Sequence, residues 1–366
     1  MKKNKITSLY IHIPFCEQIC NYCDFTKLQY FRFIAEKYLV ALKKEIDEVV
    51  KNKDLKTIYV GGGTPTSLED DLFNDLLNII APFTKNVEEY TFEANPESLS
   101  LEKLKMMKEY GVNRLSIGVE STNDKILKAI NRNHTYQDVV NATKNLLEVG
   151  FTNFNFDLIL GLPNVSLKML KQDIENLLSL SPTHISCYSL TVHPHTVFYL
   201  NKIEEPTDDY SRDAYDMIHE LLVNRGYIHY EISNFAKQKY QSKHNFVYWR
   251  NENYYGAGLG ASGYIDNNRY KNTANLEKYL NGEYILEQEE VSQKDLETYF
   301  IMLNLRTNEG IDLKLFNNIF NKDLYRARKE EIDSFIAHNL LILKDDKLIA
   351  TYEGMMILDE IILDLI

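Results

Sequence analysis

The chain has 366 residues, 44% of them apolar and 26% charged, with a net charge of -12. That apolar fraction fills a sizeable core and argues against disorder, and the length predicts one large domain with smaller additions. The acidic balance opposes a sequence-independent grip on nucleic acid, which draws on basic surface.

The N-terminal "MKKNKITSLYIHIPF" is basic but lacks the apolar stretch and small-residue cleavage site of a secretory signal. No run of about 18 apolar residues occurs, so no membrane anchor is expected and the protein reads as cytoplasmic. Short β-rich runs then alternate with amphipathic segments: "SLYIHI" (8–13), "TIYVGG" (57–62), "EYTFEA" (89–94), "RLSIGVE" (114–120), "NFNFDLIL" (153–160) and "HISCYSL" (184–190). Between the first two, Ile34, Tyr38, Leu42, Ile46 and Val49 fall at spacings of three and four, which predicts a long helix burying one stripe. After the second, Ser67 stands at an N-cap position with Asp70 three residues on, and Leu72, Leu76 and Ile80 share a face. Before the fifth, Val139, Thr143, Leu146 and Leu147 form a stripe that stops at Gly150. Repeated strand and helix imply parallel strands joined by right-handed crossovers. Six such units do not close an eightfold barrel, so the expectation is an α/β fold with a partial (β/α)6 barrel over residues 1–200.

Residues 201–290 change character, with a helix predicted over 208–225 followed by a Tyr-, Asn- and Gly-rich stretch, and are expected to form a smaller α+β middle region. Residues 291–366 predict three helices, a hairpin "LLILKDDKLIAT" turning at Asp345 and Asp346, and a closing helix, an order that resembles a winged helix. This stretch carries 9 Lys and Arg against 14 Asp and Glu, a net of -5, so nucleic acid is not expected as a partner.

Three of the four cysteines lie in "CEQICNYC", just beyond the first strand. That end of a parallel barrel carries active sites. Clustered thiols in a reducing compartment point to metal or redox chemistry rather than disulfides. A closed zinc site normally takes four ligands, and no nearby Cys or His completes one; the rival reading is a zinc site completed by the distant Cys187, which otherwise suits the sixth strand as a small apolar residue. A cubane cluster has four irons, so ligation by Cys16, Cys20 and Cys23 leaves one iron open to an external ligand.

"CEQICNYC" after a strand, with Tyr22 before the last cysteine, resembles the radical S-adenosylmethionine (SAM) enzymes. The resemblance implies a partial (β/α)6 barrel, a 4Fe-4S cluster whose open iron is chelated by SAM, and reductive cleavage to methionine and a 5'-deoxyadenosyl radical. Further segments agree with it. The glycines of "GGGTPT" (61–66) allow close backbone approach, and "FEANPESL", "SIGVES" and "NFDLILGLP" place Glu93, Glu120 and Asp157 on successive strands. Alone, each carboxylate reads as a loop or capping residue; in register they favour a site.

Within that superfamily the chain is similar to the oxygen-independent coproporphyrinogen III oxidases and their shorter haem chaperone branch. The resemblance implies SAM contacts at Tyr10, Gly62, Gly63, Thr64, Glu93, Arg132 and Asp157, with Tyr22 beside the cluster. Two departures stand out: Glu120 replaces a usual Gln, and "HPHT" (193–196) replaces "EPGT". An ionised Glu120 cannot donate the hydrogen bond of an amide. Oxidases of the group have a further cysteine two positions after the third, where this chain has Phe25, and an N-terminal extension, whereas the first strand here starts almost at the N-terminus. "HNFVYW" (244–249) matches the HNxxYW pattern associated with haem in the chaperone branch. It implies His244 as axial haem ligand, Tyr248 and Trp249 against the macrocycle, and Lys243 and Arg250 on the propionates. His193 and His195 are rival ligands. The implied function is a haem chaperone that passes haem to acceptor haemoproteins, membrane respiratory proteins among them, with a homodimer as one use of the cluster. The alternatives are a coproporphyrinogen III dehydrogenase, whose activity is expected to be absent, and a zinc-stabilised binding module.

Overall fold

Six β-rich runs, buried almost throughout, form six parallel strands in sequence order: β1 (Ser8–Ile13), β2 (Thr57–Gly62), β3 (Glu89–Ala94), β4 (Arg114–Glu120), β5 (Phe154–Leu160) and β6 (His184–Ser189). They are buried on both faces, because side chains fill the concave side while helices cover the outside. The computed structural model describes residues 5–366; the tetrapeptide at positions 1–4, part of the stretch read for a targeting signal, lies outside the described residues.

The crossovers are α1 (Arg32–Val49), α2 (Asp70–Ile80), α3 (Leu101–Glu109), α4 (Asp124–Ala129), α5 (Tyr136–Val149) and α6 (Leu167–Ser179). Tyr38, Leu42 and Ile46 bury the expected stripe of α1. At α2 the expectation needs correction: the helix starts after Glu69, and Ser67 instead ends a tight turn, Pro65–Ser67, with its hydroxyl donating to the Phe15 carbonyl at 3.3 Å. The chain after β2 must first fold back under the cysteine loop, which uses up the Ser67 side chain. In α5, Thr135 and Asp138 form a reciprocal capping box and Gly150 ends the helix at φ 89°. Leu147, placed on the buried stripe by its spacing, is 50% exposed.

Both edges of this sheet are completed from residues 201–290. After α7 (Asp208–Asn224), the hairpin β7 (Ile228–Glu231) and β8 (Asn234–Ala236) packs β8 antiparallel to β6. A short helix α8 (Lys243–Trp249) follows, and β9 (Tyr255–Ala257) lies parallel to β1, with Leu9 opposite Tyr255. Tyr255, Ala257, Leu259 and Tyr279 belong to the same buried cluster as the barrel strands. The strands β10 (Ser262–Ile265), β11 (Asn268–Asn272) and β12 (Ile285–Glu290) form a separate small sheet.

The C-terminal stretch has its own core, around Phe300, Leu305, Phe316, Ile332, Leu348 and Ile361. Helices α9 (Gln293–Leu305), α10 (Leu313–Phe320) and α11 (Lys329–Ala337) precede a hairpin of β13 (Leu341–Lys344) and β14 (Lys347–Ala350), and α12 (Leu358–Leu365) closes it. This is the winged-helix-like order. Asp345 and Asp346 take φ 52° and 58°, the paired left-handed turn that suits a two-residue hairpin.

The late edge strand is pinned to α1 by a buried carboxylate. Glu45 accepts hydrogen bonds from the Gly258 amide, the Tyr279 hydroxyl and the Asn272 side-chain amide. Gly258 sits at φ 107°, and a Cβ there would come within 2.4 Å of the His12 carbonyl oxygen and 2.8 Å of the Tyr38 hydroxyl. Gly258→Ala is therefore expected to destabilise the barrel by about 2–3 kcal/mol, read as a lowered midpoint in urea unfolding. An unchanged midpoint would show that β9 is not held where this contact places it.

Candidate functional site

A cavity of about 350 Å³ opens at the C-terminal ends of the parallel strands. Of the residues expected there, Cys16, Cys20, Cys23, Tyr22, Gly62, Gly63, Thr64, Glu93, Glu120, Arg132 and Asp157 line it together. Tyr10 and His244 do not.

The cysteine loop is clamped by main-chain contacts. The amide of Gly63 donates to the Ile13 carbonyl at 2.8 Å and that of Thr64 to the Phe15 carbonyl at 2.7 Å. A Cβ at Gly63 would meet the Phe15 carbonyl oxygen at 2.7 Å and Cys16 Sγ at 3.0 Å. The glycine run thus serves the approach of the loop itself. On the other side, the Asn131 side-chain amide donates to the Ile19 carbonyl at 2.8 Å, and Asn21 donates from its backbone to Ile130. His12 braces the loop's exit: Nε2 donates to the Thr26 carbonyl at 2.7 Å and Nδ1 accepts from the Tyr10 hydroxyl at 2.9 Å, the tautomer that fits both partners. Burial lowers the His12 pKa, with the Thr26 carbonyl opposing, which keeps the ring neutral. Tyr10, expected at SAM, thus acts through His12 and faces a neighbouring cavity.

Burial pushes the Cys16 thiol up to about 11, against the opposing effects of the Thr64 hydroxyl and Arg132. The Cys23 thiol is raised by the same cause, against Lys27. Such thiols resist ionisation alone and are deprotonated by a metal bond; three of them on one loop, lining one cavity, are the soft donor set a cluster takes. Cys187 lies fully buried in β6, its thiol raised strongly by burial, and does not line the cavity. The zinc reading loses Cys187 as its fourth ligand.

The carboxylates are anchored by the chain. Glu93 accepts from the Tyr59 hydroxyl at 2.7 Å and the Gly62 amide at 2.9 Å; Asp157 accepts from Asn155 at 2.8 Å and Ser116 at 3.1 Å. Burial raises the pKa of both. Arg132 donates to the Gly118 carbonyl, lies 3.6 Å from Cys20 Sγ and 3.7 Å from Glu120, and leaves its buried Nε without a partner. An unused donor on a buried cation suits an anionic ligand group such as an amino-acid carboxylate.

Glu120 sits at φ 66° where the β4–β5 register shifts, a strained conformation for a residue with a Cβ. Burial pushes its carboxyl up to about 7, with Arg132 opposing. Near neutrality a large part of it is protonated and able to donate a hydrogen bond. Sequence reasoning missed Tyr59, Asn95, Asn131, Lys27 and Tyr188, whose local sequence carries no signal: four of them line the cavity, and Asn131 ties down the cysteine loop.

His244 lies at the opposite end of β2, fully buried on α8. Its Nδ1 is 2.8 Å from the Thr57 hydroxyl and its Nε2 is 2.8 Å from the Tyr248 hydroxyl. Burial lowers its pKa to about 3, with Arg114 adding, so the ring is neutral. Of the residues expected on the propionates, Lys243 pairs with Glu88 at 2.8 Å and Arg250 with Glu309 at 2.7 Å. Trp249 has a buried indole N–H without a partner. His193 lines the cysteine cavity 3.4 Å from Asp24, and His195 is exposed at φ 71°.

A half-barrel with three cysteines on the loop after its first strand, glycines after the second and carboxylates on those that follow defines a radical SAM protein. The Radical SAM superfamily model matches residues 10–177, and the HemN C-terminal domain model matches residues 291–357. The chain belongs to this superfamily and, within it, to the HemW family. It is 39% identical to Heme chaperone HemW of Lactococcus lactis over 92% of this chain and 91% of that protein, and 37% identical to its Bacillus subtilis counterpart over 97% of each. Among solved structures, coproporphyrinogen III oxidase (HemN) from Escherichia coli, described as a radical SAM enzyme, superposes with a TM-score of 0.84 over 98% of this chain and 90% of that one; at 22% identity this shows a shared fold.

Cys20→Ala is expected to abolish assembly of a 4Fe-4S cluster on anaerobic reconstitution, by iron and sulfide analysis, while the unfolding midpoint stays close to wild type because the residue sits on a partly exposed loop. Retained cluster at full stoichiometry would remove Cys20 from the ligand set. Glu120 yields a pH-dependent prediction. Its folded pKa is raised, so its contribution to stability is present below about 4.5 and is lost as pH rises through about 7. Glu120→Gln should accordingly stabilise the protein at pH 8, on the order of 2 kcal/mol, and little at pH 5. Equal gains at both pH values in urea unfolding would contradict it.

Proposed function

We propose that this chain is a haem chaperone that binds haem and delivers it to acceptor haemoproteins, holding a 4Fe-4S cluster on Cys16, Cys20 and Cys23 and SAM beside it. The reading is carried by similarity over nearly the full length to proteins named for that role. The cluster and SAM, when bound, supply one-electron chemistry at the open iron. This chain's own part is to place Arg132 with its free Nε for the SAM carboxylate, Glu93, Glu120 and Asp157 for its amino group and hydroxyls, and Tyr22 beside the cluster. Among the described residues no helix is long and apolar enough to cross a membrane, so contact with respiratory membrane proteins runs through those partners, from a cytoplasmic chaperone.

His244 serves as haem ligand through Nε2. Thr57 fixes the other nitrogen, and a proton on Nδ1 directed at the Thr57 oxygen leaves Nε2 with a lone pair. The Tyr248 hydroxyl lies against that atom, so ligation exchanges one hydrogen bond for the iron.

The test is an anaerobic haem titration of reconstituted wild type beside His244→Ala, following the Soret difference spectrum. The expected result is stoichiometric binding by wild type and affinity weakened about tenfold or more in the variant. Absence of wild-type binding sinks the chaperone reading; undiminished binding by the variant moves the ligand to His193 or His195.

A further inference from the structure

The inner face of a parallel barrel is ordinarily filled by branched aliphatic side chains. Beneath the cysteine cavity this one is polar. Ser116 on β4, Asn155 and Asp157 on β5, and His184 and Ser186 on β6 are joined there by hydrogen bonds. Asn155 and Asp157 stand two positions apart on one strand and so share a face. Asp157 lines the cavity; Asn155 and His184 lie below it, both buried.

One arrangement of protons satisfies every contact in this group. A carboxylate only accepts, so the Asn155 amide turns its nitrogen toward Asp157 at 2.8 Å and the Ser116 oxygen at 2.7 Å. Its oxygen then faces His184 Nδ1 at 2.7 Å and accepts from the Ser186 hydroxyl at 3.1 Å. The His184 proton therefore sits on Nδ1, and Nε2 is left to accept from the Tyr230 hydroxyl at 2.7 Å. The Tyr230 oxygen accepts in turn from the Ser242 amide at 3.3 Å. Burial lowers the His184 pKa, with Arg114 adding, so the ring carries this one proton and no second. At the other end burial raises the Asp157 pKa, and Asn155, Ser186 and Ser116 oppose that rise.

A side-chain amide has two orientations of similar shape, and the reversed one would aim the Asn155 oxygen at the Asp157 carboxylate. The His184 Nδ1–H excludes it, because a donor cannot face the amide NH2. Tyr230 keeps that proton on Nδ1 by occupying Nε2. It belongs to β7, outside the six parallel strands, and its carbonyl accepts from the Asn308 amide at 2.9 Å. We infer that His184, held by Tyr230, is a positioning residue for the SAM site: it locks the Asn155 amide so that Asp157 keeps its donors and its aim into the cavity. The inference rests on the reading of this cavity as a SAM site and adds to it a residue that does not line the cavity. Asp157 is thereby oriented from behind before any ligand arrives, which spares the ligand the cost of ordering it.

The test measures SAM affinity of the full-length, cluster-loaded protein by anaerobic isothermal titration calorimetry, with iron and sulfide content and circular dichroism taken for each variant. His184→Leu removes the donor to Asn155 and should weaken SAM about tenfold at full cluster content. His184→Asn, whose amide donates from near the Nδ1 position, should return affinity to within about threefold of wild type. A role confined to filling the core would favour the leucine instead. Tyr230→Phe conserves volume, leaves Nε2 without its donor and should weaken SAM about threefold; it decides if His184→Leu does not fold. Undiminished SAM affinity in the deciding variant, or equal loss in His184→Leu and His184→Asn, overturns the inference and leaves the SAM reading standing. No SAM binding by cluster-loaded wild type overturns the SAM reading itself.

Discussion

Three consecutive residues without a Cβ set the geometry of the cysteine cavity. At Gly61 a Cβ would come within 2.6 Å of the Glu93 carboxylate, at Gly62 within 2.4 Å of the His12 ring, and at Gly63 within 2.7 Å of the Phe15 carbonyl. Glu93, His12 and the cysteine loop all converge on the end of β2, and each is admitted by one missing side chain. The placement of Cys16 follows directly from the last of these. Cys20 and Arg132 follow in turn, because the loop that begins at Phe15 is tied at its middle to Asn131 and at its end, through the Thr26 carbonyl, to His12.

The cavity concentrates acidic groups on a surface that burial makes hostile to charge. Glu93, Glu120 and Asp157 all have raised pKa values for that reason, and Arg132 is the cation facing them. Such a lining favours a ligand that carries positive charge and one carboxylate, which is the charge pattern of an amino-acid sulfonium.

The barrel strands were legible because β-branched and aromatic residues recur in short runs at regular intervals between amphipathic helices, a signal that survives without any knowledge of neighbours. The cysteine spacing was legible for a similar reason: its chemistry is local. β9 was not, since three residues, Tyr255 to Ala257, carry no period, and their pairing with β1 is decided by Glu45 and Tyr38 far upstream. Ser67 shows a local capping signal overruled by the turn at Pro65, and Lys243 and Arg250 show charges whose partners come from elsewhere in the fold. His244 was legible as a motif, while its enclosure between Thr57 and Tyr248 depends on where α8 docks.

The late arrival of β9 also bears on how the chain reaches its native state. Until residue 257 leaves the ribosome, β1 is an open sheet edge with unpaired amides and carbonyls, although Cys16, Cys20 and Cys23 were made more than two hundred residues earlier. Pairing across that sequence distance is entropically slow, and the nascent barrel is exposed to wrong strand partners during the wait. Before the edge closes, the cysteine loop sits on a scaffold still missing the close approach of Gly258 to His12.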